Sequence, residues 1–170
     1  MFRSAALLAG LLVAAPAFAA KDPCKNVQLK KDSFGDTRIL EAGDLKLVKT
    51  GGKWSFTASF GAGGGYGGFA ALTFEPIPAG STVEILLADQ AIVPVTTTTV
   101  SNPMTVAIMG IVVQKYSLQI SLTDEQLKGI VAQPIKAIRV LKGTEPWYTG
   151  EISVGDSKKF QEAASCMATT

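Results

Sequence analysis

Residues 54–60, WSFTASF, alternate large apolar side chains with small polar ones, and this stretch decides the fold class. Side chains of a β-strand point alternately to the two faces of a sheet, so a period of two is typical of a strand with one buried face. The same alternation returns in residues 116–122, YSLQISL. Both stretches are therefore predicted to be half-buried strands.

Further strand-like segments, rich in apolar and β-branched residues, fill the chain from about residue 27 to residue 122. Turn-forming residues divide them. The predicted strands between the two alternating stretches are 69–75, 82–88 and 91–99. Short strands at this spacing are typical of antiparallel sandwiches and barrels. The predicted fold is mainly β (α+β), a single antiparallel β-sandwich or open barrel.

Two short helices are predicted near the C-terminal end. Thr123 and Gln126 have capping-box spacing, in which each side chain accepts from the backbone amide of the other residue, and Pro134 ends that helix. A last helix begins at Asp156 or Ser157 and carries one apolar face. That face comprises Phe160, Ala163, Ala164 and Met167. The segments 134–142 and 147–154 are predicted strands.

The N-terminus has the layout of a secretory signal peptide. Arg3 precedes an apolar run, Pro16 breaks the run, and Ala17-Phe18-Ala19 places small residues where a signal peptidase cleaves. The run is shorter than the roughly 20 residues that span a bilayer. We expect a signal peptide at residues 1–19 and one β-rich domain at residues 20–170.

Charge and hydropathy restrict the partners. The chain has 16 basic and 14 acidic side chains, a net charge of +2. A nucleic-acid partner would need a basic face, so none is expected. We also expect no transmembrane segment in the mature chain, and the signal peptide predicts that the protein is exported to the periplasm or outside the cell.

Two cysteines, Cys24 and Cys166, stand near opposite ends of the predicted mature chain. An even number of cysteines in an exported protein favours a disulfide. A redox pair would need close spacing such as Cys-x-x-Cys, which this chain lacks. We predict a structural disulfide between Cys24 and Cys166.

The chain contains no histidine. This excludes Ser-His-Asp and Cys-His sites and removes the commonest metal ligand. Acid–base chemistry would have to use paired carboxylates, as glycosidases do, and the acidic residues are scattered along the chain. We expect no metal, no cofactor and no catalysis. The alternatives are a carboxylate-based glycan hydrolase and a carrier with an apolar pocket between sheets.

Residues 61–68, GAGGGYGG, contain the pattern G-x-G-x-x-G. That pattern binds nucleotides only between a strand and a helix, and residues 69–74 are strand-like. The run is interpreted as a connection between two strands or a place of close backbone approach. Tyr66 within it is a candidate ligand contact.

The other candidate ligand contacts are Trp147 and Tyr148, which follow Pro146 at the start of a strand. Neighbours on a strand point to opposite faces, so one of the two rings is expected at the surface. An exposed ring there can stack on a sugar or anchor a protein partner. The basic residues Lys136, Arg139 and Lys142 are expected at solvated strand edges. The sequence thus predicts an exported protein of the periplasm or cell envelope that acts by binding or structure, with a protein or glycan as its partner.

Overall fold

The computed structural model describes residue 25 and residues 27–32, 35–66, 75–108 and 111–169. Within these residues the chain forms ten strands and two helices. In chain order the elements are β1 (Val27–Asp32), β2 (Gly35–Ala42), β3 (Leu45–Thr50), β4 (Lys53–Tyr66), β5 (Thr82–Leu87), β6 (Ile92–Thr96), β7 (Met104–Ile108), β8 (Ile111–Leu122), α1 (Asp124–Ala132), β9 (Ile135–Lys142), β10 (Glu145–Glu151) and α2 (Val154–Thr169).

The strands form two sheets in which every neighbouring pair is antiparallel. The larger sheet has six strands in the order β1-β2-β3-β4-β8-β7, and the smaller has four in the order β10-β9-β5-β6. A bridge between Thr97 and Ile120 joins the two sheets at one corner. The predicted mainly-β fold, a sandwich or open barrel with two late helices, is confirmed.

The two alternating stretches pair with each other across the middle of the larger sheet. Trp54 lies opposite Leu122 and Phe60 lies opposite Tyr116, so the large side chains of both strands share one face. All of these side chains are at most 7% exposed. Val83 and Ile85 of the smaller sheet are also fully buried, and together these side chains form the core between the sheets.

Helix α2 completes the core, because it lies against β2 and β3 of the larger sheet and β9 of the smaller. It begins at Val154, two residues before the predicted start. Its predicted apolar face, which includes Phe160, is fully buried. The Phe160 ring meets the Phe56 ring edge-on, with centroids 5.5 Å apart. The period of the apolar residues in α2 therefore predicted its buried face correctly.

Helix α1 begins with the predicted capping box. The Gln126 amide donates to Thr123 Oγ1 at 3.1 Å, and the Thr123 amide donates to Gln126 Oε1 at 3.0 Å. The indole of Trp54 donates to Asp124 Oδ1 at 2.8 Å, and Gln126 Nε2 donates to the Pro94 carbonyl at 3.0 Å. The first turn of α1 thus holds the helix against β4 and β6.

The glycine run departs from its interpretation as a connection. Strand β4 continues through Gly61–Tyr66 and pairs with β8 back to Ile111. Glycine weakens a strand, but pairing with the long partner β8 supplies backbone hydrogen bonds along one side of this segment, with a bulge between Ala62 and Gly64. A Cβ at Gly61 would lie 2.9 Å from Val113 Cγ1, so the approach is close there.

Some predictions concern residues that the structure does not describe. These are the signal peptide, the strand at 69–74 and the Cys24 end of the disulfide, which all remain predictions. Cys166 is half-buried on α2. In the described part of the chain no helix is both long and apolar enough to cross a membrane.

Candidate ligand-binding groove

A β-bulge in β10 builds the candidate site. Pro146 lies opposite Leu141 and Tyr148 lies opposite Val140, which leaves Trp147 as an extra residue in the ladder. The prediction that Trp147 and Tyr148 point to opposite faces is wrong, because the extra residue breaks the alternation. Their rings stack with centroids 4.8 Å apart and 25° between the ring planes. Both residues are half-buried.

This pair is the outer end of a series of four aromatic rings that begins in the core. The ring centroids of Phe60 and Tyr116 are 5.9 Å apart, and those of Tyr116 and Tyr148 are 4.8 Å apart. Gly150 makes room for the series, since a Cβ at this position would lie 2.3 Å from Phe60 Cβ. The Trp147 ring therefore packs on rings that extend into the core. Packing of this kind fixes the position of a side chain before a ligand binds.

The two tyrosines of the series also fix Glu75. The Tyr116 hydroxyl donates to the Glu75 carbonyl at 3.0 Å, and the Tyr148 hydroxyl donates to the same oxygen at 3.4 Å. Burial, and then the hydrogen bond and charge of Tyr148, raise the pKa of Tyr116 well above its ordinary value. Tyr116 consequently stays protonated, and remains a donor, at neutral pH.

An open groove of about 660 Å³ lies between the segment from Glu75 to Thr82 and the β9–β10 hairpin. Lys142 connects its two walls, because its Nζ donates to Glu75 Oε2 at 3.0 Å. The same Nζ lies 4.7 Å from the centroid of the Trp147 ring. We call this feature the Trp147 groove. It offers a ligand apolar surface from Trp147 and Pro76, a charged donor and a carboxylate acceptor.

The three basic residues of β9 have different surroundings. Lys136 is exposed, as expected for a solvated strand edge. Arg139 instead pairs with Glu84 on the neighbouring strand, and Lys142 pairs with Glu75 across the groove. Lys142 is thus a residue of the candidate site that sequence reasoning missed. Its position beside the Gly143 turn, facing the start of β10, was the available signal.

Two further carboxylates of the described chain are held in ion pairs away from the groove. Glu41 pairs with Lys46 and Asp44 pairs with Lys115, each at 2.7 Å. Among the residues that the structure describes, no three His, Cys, Asp or Glu side chains form a group that could hold a metal ion.

Tyr66 lies at the end of β4, where it pairs with Ile111 of β8. It lies six residues beyond Phe60 on β4, which corresponds to up to about 20 Å at roughly 3.3 Å per residue. Its side chain is outside the described set. Of the three predicted contacts, the structure brings together Trp147 and Tyr148.

No protein-family model, no curated protein and no solved structure matches this chain.

The raised pKa of Tyr116 leads to a prediction for alkaline solution. Tyr116→Phe removes one of two donors to Glu75 and should lower the free energy of unfolding by about 1 kcal/mol near pH 8. Above about pH 10 tyrosine ionises in the unfolded chain but not in the folded core, so the folded state binds more protons. The wild type then loses about 1.4 kcal/mol per pH unit, a loss that the variant lacks.

Urea unfolding of both proteins at several pH values tests this prediction. The wild type should be the more stable protein near pH 8, and the order should reverse near pH 11. A stability difference that stays constant over this range would show that Tyr116 titrates alike in the folded and unfolded chains.

Proposed function

We propose that this chain is an exported, non-catalytic protein of the periplasm or cell envelope that binds a glycan in the Trp147 groove. The observation that carries the proposal is the Trp147 ring, which lines the groove beside Lys142 and stacks on Tyr148 at the bulge of β10. Export is proposed from the signal-peptide pattern of residues 1–19.

The chemistry of the groove matches a sugar better than a purely apolar or purely charged ligand. A pyranose ring presents C–H groups to aromatic surface and hydroxyl groups to polar side chains. Trp147 supplies the amphipathic ring, held by Tyr148 behind it. Lys142 has further N–H groups besides the one bonded to Glu75, and the second carboxylate oxygen of Glu75 can accept from a hydroxyl.

Binding is favoured over hydrolysis because glycosidases use two carboxyl groups that flank the scissile bond. Among the described residues that line the groove, Glu75 is the one carboxylate, and Lys142 neutralises it. The carrier alternative has less support, since among the described residues core side chains such as Phe56 and Tyr116 pack between the two sheets.

The proposal is tested by screening the mature protein against neutral, N-acetylated and acidic oligosaccharides and measuring the best ligand by calorimetry. Trp147→Ala should weaken binding about 30-fold, because an aromatic anchor of this kind is worth about 2 kcal/mol. Lys142→Ala should weaken it about tenfold through loss of a charged donor.

Lys49→Ala is the matched control. Lys49 Nζ also lies 4.7 Å from the centroid of a tryptophan ring, that of Trp54, so this variant removes the same type of contact and the same charge away from the groove. Its affinity should equal that of the wild type. Equal affinities of Trp147→Ala and the wild type, with both proteins folded by thermal melting, would contradict the proposal, as would the absence of binding to every oligosaccharide.

A further inference from the structure

The four strands at the sheet edges differ in how they are protected against pairing with another chain. The edge strands are β1 and β7 of the larger sheet and β6 and β10 of the smaller. An edge strand exposes a row of unpaired backbone N–H and C=O groups, and proteins block such rows with charged side chains, proline, bulges or covering elements.

Three of the four edges carry such a device. Strand β1 contains Lys30, Lys31 and Asp32. Strand β10 contains Pro146 and the bulge at Trp147.

Strand β6 is protected as well. It contains Pro94, whose carbonyl accepts from Gln126 of α1, and the chain continues from it into the Thr97 bridge to β8. A further strand is therefore obstructed at three of the four edges.

Among the described residues, strand β7 has none of these devices within its own five positions, and the nearest proline, Pro103, precedes the strand. Its sequence, MTVAI, contains no charged residue and no proline, and it pairs with β8 in a continuous register from Met104 to Ile108. Met104 is 59% exposed, and Val100 just before the strand is 55% exposed. Among the described strands, β7 has a neighbour on one side only. An uncharged, regular edge of this kind is a site for strand addition.

We propose that β7 is an interface for a second copy of this chain, with the two β7 strands antiparallel about a two-fold axis at Val106. This register places Val106 opposite its own copy and Met104 opposite Ile108, so every facing pair is uncharged. The same arrangement of β1 would bring lysine-bearing strands together. The two six-stranded sheets would become one continuous sheet across the dimer.

The interface is small, because the paired segment has five residues. Interfaces at the low end of the size range are weak and reversible. The dimer is therefore expected to form as the protein concentration rises from about 10 μM to about 1 mM.

Sedimentation velocity of the mature protein over this concentration range tests the proposal. The wild type should shift from monomer to dimer, and Met104→Lys should remain monomeric because it places a cation on the edge. Ile92→Lys is the matched control: Ile92 is 48% exposed on the protected edge strand β6, and this variant should dimerise like the wild type. Thr105→Lys, at a second exposed position of β7, should also be monomeric.

Hydrogen exchange identifies what lies on the edge. The β7 amides that point away from β8 should exchange rapidly in dilute protein and slowly in concentrated protein. Protection of these amides in the dilute monomer would overturn the proposal, since another segment of the same chain would then cover the edge. A monomer at all concentrations, or a dimer that persists in both β7 variants, would also overturn it. These outcomes are independent of glycan binding.

Discussion

Replacing Phe160 with alanine is expected to lower the free energy of unfolding by about 3–5 kcal/mol, which is the usual cost of truncating a fully buried aromatic residue. Phe160 has no exposed surface, and its ring meets Phe56 of the larger sheet edge-on. Helix α2 also contacts β9 of the smaller sheet. The substitution therefore leaves a cavity where the helix and the two sheets meet.

Chemical denaturation measures this effect, with Lys158→Ala as the control on the exposed side of the same helix. Surface substitutions of that kind change stability by less than about 0.5 kcal/mol. A loss below about 1 kcal/mol for Phe160→Ala would contradict the packing of α2 into the core.

The second large effect is expected for Gly150→Ala, which should lower the free energy of unfolding by about 3 kcal/mol. A Cβ at this buried position would lie 2.3 Å from Phe60 Cβ and 2.5 Å from Phe60 Cγ. Something must shift, and overpacking of this kind costs 1–3 kcal/mol or more. Because Phe60 is the inner ring of the aromatic series, we also expect a changed near-ultraviolet circular dichroism spectrum.

Gly155→Ala provides the matched control in the first turn of α2. Its Cβ would meet nothing nearer than Ser153 Oγ at 3.8 Å, so the variant should equal or exceed the wild type in stability by up to about 1 kcal/mol. If Gly150→Ala proved as stable as Gly155→Ala, the close contact between β10 and β4 would be refuted.

Features that depend on local sequence were predictable. The alternation in residues 54–60 and 116–122 requires a strand with one buried face, whatever its neighbours are. The capping box of Thr123 and Gln126 and the apolar face around Phe160 are equally local, and the structure has both.

Features that depend on pairing between distant segments were not predictable. The glycines of 61–66 are poor strand formers, and they become strand because β8 extends far enough to pair with them. The bulge at Trp147 depends on the register of β10 against β9, which residue types alone do not determine. Glu75 is held at the groove by tertiary contacts with Tyr116, Tyr148 and Lys142.

The candidate site was therefore predicted in part. Trp147 and Tyr148 are predictable contacts because an aromatic ring exposed near a loop can stack on a sugar or anchor a protein partner. Their stacking, and the presence of Lys142 and Glu75 around Trp147, required the three-dimensional arrangement.

The most direct test of the glycan-binding proposal uses the two tryptophans as reporters in one protein. In a ¹⁵N-labelled sample each indole N–H gives its own resonance, and the two are assigned with the Trp147→Ala variant. Trp54 is buried and its indole N–H donates a hydrogen bond to Asp124, whereas Trp147 lies in the groove. Titration with the best oligosaccharide of the panel should shift the Trp147 resonance in a saturable manner and leave the Trp54 resonance in place. A Trp147 resonance that does not move at saturating ligand would contradict the account.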